Sequence, residues 1–178
     1  MDATLIVARI ARGVQIHKLE ALLIGNAGAA IHGAPVTTVD IDFLYRRTPA
    51  NIRKLKRIAR DLRATLYAPF YPGSNMLRMM NDDETLQVDF MDQVDGVRSF
   101  EGVRKRALLI NIGGVSLWVA DLADIIKMSK PTRKQKRDLP GKQSEWLEND
   151  MIRRRVAAPL RVRMNFLRKR IGICSSAL

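Results

Sequence analysis

The stretch Ala21-Leu-Leu-Ile-Gly-Asn-Ala-Gly28 decides how this chain is read, together with Val39-Asp-Ile-Asp-Phe-Leu-Tyr45, which follows Pro35 and the Thr37–Thr38 pair. Four apolar residues stopped by Gly25 predict a short buried strand, and the small residues after it open a short helix over about Ala27 to His32. Val39 to Tyr45 alternates apolar and acidic side chains with the period of two of a half-buried strand, apolar side on the core and acids facing away. Asp40 and Asp42, two apart, leave the same face of that strand, close enough to share a divalent metal ion. The Gly25-Asn26-Ala27-Gly28 turn offers free amides that can hold a triphosphate close to the backbone. A third acid, Asp89, sits in the apolar run Leu86-Gln-Val-Asp-Phe-Met91, where a charge is costly unless it is paired or ligates a metal.

Outward from there the chain reads as alternating helices and hairpins. Residues 5 to 20 fit a first helix. Ala50 to Leu66 is the clearest helix, with Ile52, Leu55, Ile58, Leu62 and Leu66 at three- and four-residue steps, cations between them, and Thr48-Pro49 as its start. Tyr67 to Ser74 reads as a loop, and Met76–Met80 with Thr85–Met91 as a hairpin. Ala107–Ile112 and Val115–Val119 form a second hairpin around Gly113-Gly114. Asp121 caps a helix through about Met128. The segment from Pro131 to Arg137 reads as a loop, and helices are expected over about 138–155 and 159–171. The expected class is α+β, a small mixed sheet flanked by helices, with a core over 1–130 and a basic helical extension over 131–178.

Thirty-one Lys and Arg against 18 Asp and Glu leave +13 on 178 residues, and 47% apolar content supplies a core. Fifteen of the 31 cations lie in two runs: seven from Lys127 to Lys142, and eight from Arg153 to Arg170 with no acid among them (Arg153, Arg154, Arg155, Arg161, Arg163, Arg168, Lys169 and Arg170). The acid-free run is the candidate nucleic-acid contact, because cations placed on phosphates release condensed counterions. The single Cys174 makes no internal disulfide, which points to a reducing cytoplasm. No secretory signal or membrane-spanning run is read, and the basic tail lacks the broad apolar face of a membrane-surface helix. No Cys/His spacing supports zinc. His17 is expected at the surface, His32 as a satisfied core or cap residue, and Trp118 and Trp146 as packing residues.

An acid-x-acid triplet arises by chance roughly twice in a chain this acidic, so Asp40-Ile41-Asp42 alone is weak. The ordered set is more specific. Ala21–Gly33, Thr38-Val-Asp-Ile-Asp-Phe-Leu44 and Val88-Asp-Phe90 together resemble the nucleotidyltransferase fold of the polymerase-beta superfamily. Within it they are similar to small bacterial nucleotidyltransferase-like proteins that include abortive-infection and toxin/antitoxin enzymes. Val119-Ala-Asp-Leu-Ala-Asp-Ile-Ile126, followed by Lys130 and Asp138, is similar to the segment after the second hairpin in that group.

The resemblance implies Gly25 and Asn26 as the nucleotide-phosphate turn, Asp40 and Asp42 as metal ligands, and Asp89 as the third carboxylate, a general base or metal ligand. It implies Lys130 as a phosphate contact, Mg2+ or Mn2+ as cofactor and an NTP, ATP by preference, as substrate. Two departures count against a fully active site without touching the fold: the turn reads Gly25-Asn26 where relatives usually have Gly-Gly or Gly-Ser, and Val36 stands where relatives often have arginine. Two functions are therefore carried forward. One is transfer of a nucleoside monophosphate to a hydroxyl, with RNA such as tRNA favoured by charge and protein or small-molecule acceptors left open. The other is a weakened fold kept as a nucleic-acid-binding or antitoxin-binding module.

Overall fold

A computed structural model describes residues 3–36, 38, 40–69, 75–82 and 85–129. The expectations for Lys130, the 131–178 extension with its eight basic candidates, Trp146 and Cys174 lie outside these residues.

The chain runs α1 (Ala3–Ile16), β1 (Ala21–Ile24), α2 (Gly25–Ile31), β2 (Ile41–Tyr45), α3 (Pro49–Asp61), β3 (Ala64–Tyr67), β4 (Leu77–Asn81), β5 (Gln87–Met91), α4 (Phe100–Arg104), β6 (Leu108–Ile112), β7 (Val115–Val119) and α5 (Leu122–Met128). The strands form one sheet in the order β3-β4-β5-β2-β1-β7-β6, a mixed α+β arrangement. β2 lies at its centre, antiparallel to β1 and parallel to β5. One layer of core joins α1 and α3 to Leu23, Phe43, Tyr45, Val88 and Phe90; the other joins α2, α4 and α5 to Leu22, Ile24 and Leu44. Phe43 and Phe90, opposite each other across the β2–β5 pair, stack with centroids 5.4 Å apart.

Local sequence accounts for most boundaries. Thr48 accepts the amide of Asn51 and Pro49 occupies the first turn of α3, while Asp121 accepts the amide of Ala123 to start α5. Gly113 and Gly114 at φ 57° and 81° supply the paired positive angles of a two-residue hairpin turn. His32 ends α2 and donates Nε2 to the carbonyl of Ala120 at 2.8 Å, the satisfied cap role expected of it.

Several readings change. The first helix, expected over 5–20, ends at Ile16, and Lys18 at φ 51° turns the chain toward β1. The helix expected over 50–66 ends at Asp61; Arg63, at φ 51°, turns the chain, and Leu66 belongs to β3, whose pairing with β4 outweighs the continued helical spacing. β2 is covered on both faces rather than one, because a central strand between two helical layers has no solvent side, so Asp42 is half-buried instead of facing away. His17 is largely covered, its side chain 16% exposed, and donates Nε2 to Asp61 at 2.6 Å. Helix α4 was not foreseen; its signal is Ser99, which accepts the amide of Gly102, with Glu101 in the first turn.

Candidate active site

The site is built where β1 ends and β2 begins. Because β1 and β2 are antiparallel with Ile24 opposite Asp42, the residue after β1 is carried against the Asp42 side chain. That residue is Gly25, at φ 62°, and a Cβ built there would overlap Asp42 Oδ2. Glycine is required both for the backbone angle and for the space. Asn26 is exposed in the first turn of α2, and no side chain caps that helix. Asp40 stands one residue before β2, exposed, with its amide donating to the Thr38 hydroxyl at 3.0 Å.

Asp42 has a displaced acid–base balance. Burial raises its carboxyl from 3.8 to about 6, helped by the charges of Asp89 and then Asp40, and opposed by Arg78. The parallel register places Asp89 directly beside Asp42. The antiparallel register places Arg78 directly beside Asp89. Directly paired residues point to one face, so Arg78, Asp89 and Asp42 form a row across three strands. Arg78 grips Asp89 with both prongs, Nε to Oδ1 and Nη2 to Oδ2, each at 2.7 Å.

The structure thus brings Asp40, Asp42 and Asp89 to one end and face of the sheet, beside Gly25. Asp40 and Asp42 are hard oxygen donors in a cluster whose repulsion a divalent cation would relieve, and their chemistry fits one. Asp89 is different: its two oxygens are engaged by Arg78, and among the described residues no group of three or more His, Cys, Asp or Glu side chains is placed to hold a metal. Val36 is a partly buried filler against the α2, α4 and α5 layer. Arg78 is the residue that sequence reasoning missed. Its signal was an arginine at the centre of the apolar Met76-Leu-Arg-Met-Met80, across a hairpin from the equally isolated Asp89.

Trp118 packs as expected, with the Arg104 guanidinium 3.3 Å over its ring. Asp124, its side chain 1% exposed, binds Arg106 at 2.8 Å and Lys127 at 3.2 Å and anchors α5. Among the described residues, no helix is long and apolar enough to cross a membrane.

No protein-family model matches the sequence, and no curated protein matches it. Solved structures do match. The antibiotic-resistance factor ANT(2'')-Ia in solution superposes with a TM-score of 0.57 at 14% identity, covering 95% of this chain and 92% of that one. The crystal structure of ANT(2'')-Ia in complex with adenylyl-2''-tobramycin gives 0.55 at 14% identity, with 94% and 97% covered. A Thermotoga maritima protein assigned as a nucleotidyltransferase gives 0.51 at 15% identity, with 92% and 91% covered. With the β1–α2 turn packed on the first strand acid and two acids paired across parallel strands, these likenesses establish that the chain has the nucleotidyltransferase fold.

Proposed function

We propose that this protein transfers a nucleoside monophosphate from an NTP, ATP by preference, to a hydroxyl of an RNA acceptor, with release of pyrophosphate. The observation that carries the reading is the half-buried Asp42 carboxylate packed on Gly25 beside Asp40, at one end of a sheet of nucleotidyltransferase fold. Asp40 and Asp42 would hold a divalent cation, Mg2+ or Mn2+, which when bound supplies charge neutralisation for the phosphates and polarises the reacting oxygen. The chain's own residues do the rest. Gly25 leaves the backbone bare next to Asp42, so the Gly25–Asn26 turn is the place for the nucleotide's phosphates. Arg78 offsets the repulsion at Asp42 and fixes Asp89 beside it.

Charge favours the acceptor class. The ANT(2'')-Ia structure of similar fold holds adenylyl-2''-tobramycin, a small molecule. A chain of +13 is suited instead to a polyanion. Lys130 and the 153–170 run extend this proposal as phosphate contacts, and a toxin/antitoxin role rests on the sequence resemblance alone.

One observation favours a second reading, a binding module with a weakened site: the third carboxylate is held by Arg78 rather than free. Each α-labelled NTP, incubated with Mg2+ or Mn2+, total RNA and total cell protein, separates the two. Label in the RNA fraction that vanishes with Asp42→Asn and Asp40→Asn establishes transfer. No label above either variant, with RNA binding retained, establishes the module.

A further inference from the structure

The outer surface of α3 carries a stripe of cations. Arg53, Lys56, Arg57 and Arg60 fall at i, i+3, i+4 and i+7, so they stack on one side over two turns, and all four are exposed. The opposite side, with Asn51, Leu55, Ile58 and Ala59, is buried. Like charges at these spacings repel, and a helix face kept only for solubility mixes acids among its cations. Here the one acid of α3, Asp61, is bonded to His17 instead. None of the four stripe cations is ion-paired with another described residue, whereas Arg46, Arg47, Arg78, Arg106 and Lys127 all have carboxylate partners. Arg9 and Arg12 are also exposed, on α1, which belongs to the same helical layer.

The topology aims the stripe. α3 leaves the far end of β2 and delivers the chain to β3, which runs parallel to β2 through β4 and β5. The Arg60 end of α3 therefore lies toward the sheet edge where β2 begins, the edge that carries Asp40 and Asp42, although on the other face. Successive rows of the stripe are one helical turn, about 5.4 Å, apart, a step that long flexible side chains can match to a chain of phosphates. A bilayer would need large apolar side chains beside the cations. Among the described residues the exposed ones are Ile16, Tyr67, Leu108 and Leu109, none of them on α3.

We infer that the α3 stripe docks the phosphate backbone of the RNA acceptor and holds it along the route to the Asp40–Asp42 edge. This rests on the RNA-acceptor reading above and gives it a surface within the core domain.

The test is fluorescence anisotropy of the full chain with a short labelled single-stranded RNA over a salt series, with matched DNA and phosphatidylserine vesicles as further arms. The variants are Arg53→Gln/Lys56→Gln/Arg57→Gln/Arg60→Gln, its two paired halves, and Arg153→Gln/Arg154→Gln/Arg155→Gln, each checked for unchanged helicity and melting. The stripe variant should bind RNA at least about tenfold more weakly near physiological salt, and its log K against log salt slope should fall by about 2 to 3, the halves each losing part. DNA should behave alike, since backbone contacts carry no base information. Wild-type affinity and slope in the stripe variant overturn the proposal, as does wild type that binds vesicles and not RNA, or neither. Label transfer that survives alongside an inert stripe overturns the stripe alone, and stripe-dependent binding with no label transfer overturns the transfer reading alone.

Discussion

Asp42 Oδ2 occupies the space into which any side chain on residue 25 would have to grow, so Gly25 and Asp42 are a matched pair. Gly25→Ala must both adopt a left-handed angle and push the carboxylate aside. The backbone term alone costs about 1 to 2 kcal/mol. Transfer should fall on the order of a hundredfold, because a misplaced reacting group is penalised that heavily. Label transfer and thermal melting of this variant, read together, check that activity falls further than stability does.

The raised carboxyl of Asp42 makes stability depend on pH in an unusual direction. A group whose folded value, about 6, exceeds its unfolded 3.8 favours folding below about 3.8 and loses that advantage as pH rises to 6. Above that range that advantage, on the order of 3 kcal/mol, is gone. Asp42→Asn should therefore melt a few degrees above wild type at pH 8, with the gap closing by pH 4. The cation that transfer requires favours the ionised carboxyl, so the pH dependence of transfer should fall below the metal-free value of about 6.

A divalent cation should offset that loss. At pH 8 in the presence of chelator, added Mn2+ is expected to raise the melting temperature of wild type, by about 2.7 kcal/mol of stabilisation at a hundred times its dissociation constant. Asp42→Asn and Asp40→Asn should show little of this rise in the same titration.

Arg78 serves both of its carboxylate neighbours. Arg78→Met leaves the buried Asp89 without its two-pronged partner, at a cost of about 3 kcal/mol. It also removes a positive charge that opposes the rise at Asp42, so the Asp42 titration should move above 6. Denaturant unfolding and carboxyl-labelled NMR titration report the two effects separately.

At Asp124, burial pushes the carboxyl up, but the bonds from Arg106 and Lys127 outweigh it and leave it below 3.8. Its contribution is thus present above 3.8 and lost as pH falls through the lower folded value. Asp124→Asn should cost about 2 to 3 kcal/mol at pH 7 and much less at pH 2 in equilibrium unfolding.

Much of this architecture was legible because local chemistry and global pairing agree. The Gly113-Gly114 turn, the Thr48-Pro49 start and the Asp121 cap each act within a few residues, and each appears where the sequence predicts it. Leu66 was misplaced because its spacing continues the helix, and only the strand it pairs with, thirteen or so positions on, tells otherwise. Asp40, Asp42 and Asp89 were legible as isolated acids in apolar surroundings. What Asp89 does with its oxygens was not, since its partner Arg78 is fixed by hairpin register, a relation that composition does not carry.

The two parallel pairings, β2 with β5 and β1 with β7, have a consequence for how the molecule assembles. The hairpins β4–β5 and β6–β7 close over short loops and can form early, whereas the parallel pairs join segments distant along the chain and wait on loop closure. Asp42 and Asp89 meet only when that late step is complete. Topology thus predicts that their mutual repulsion burdens the end of folding rather than its beginning, so Asp42→Asn should slow unfolding more than it speeds folding.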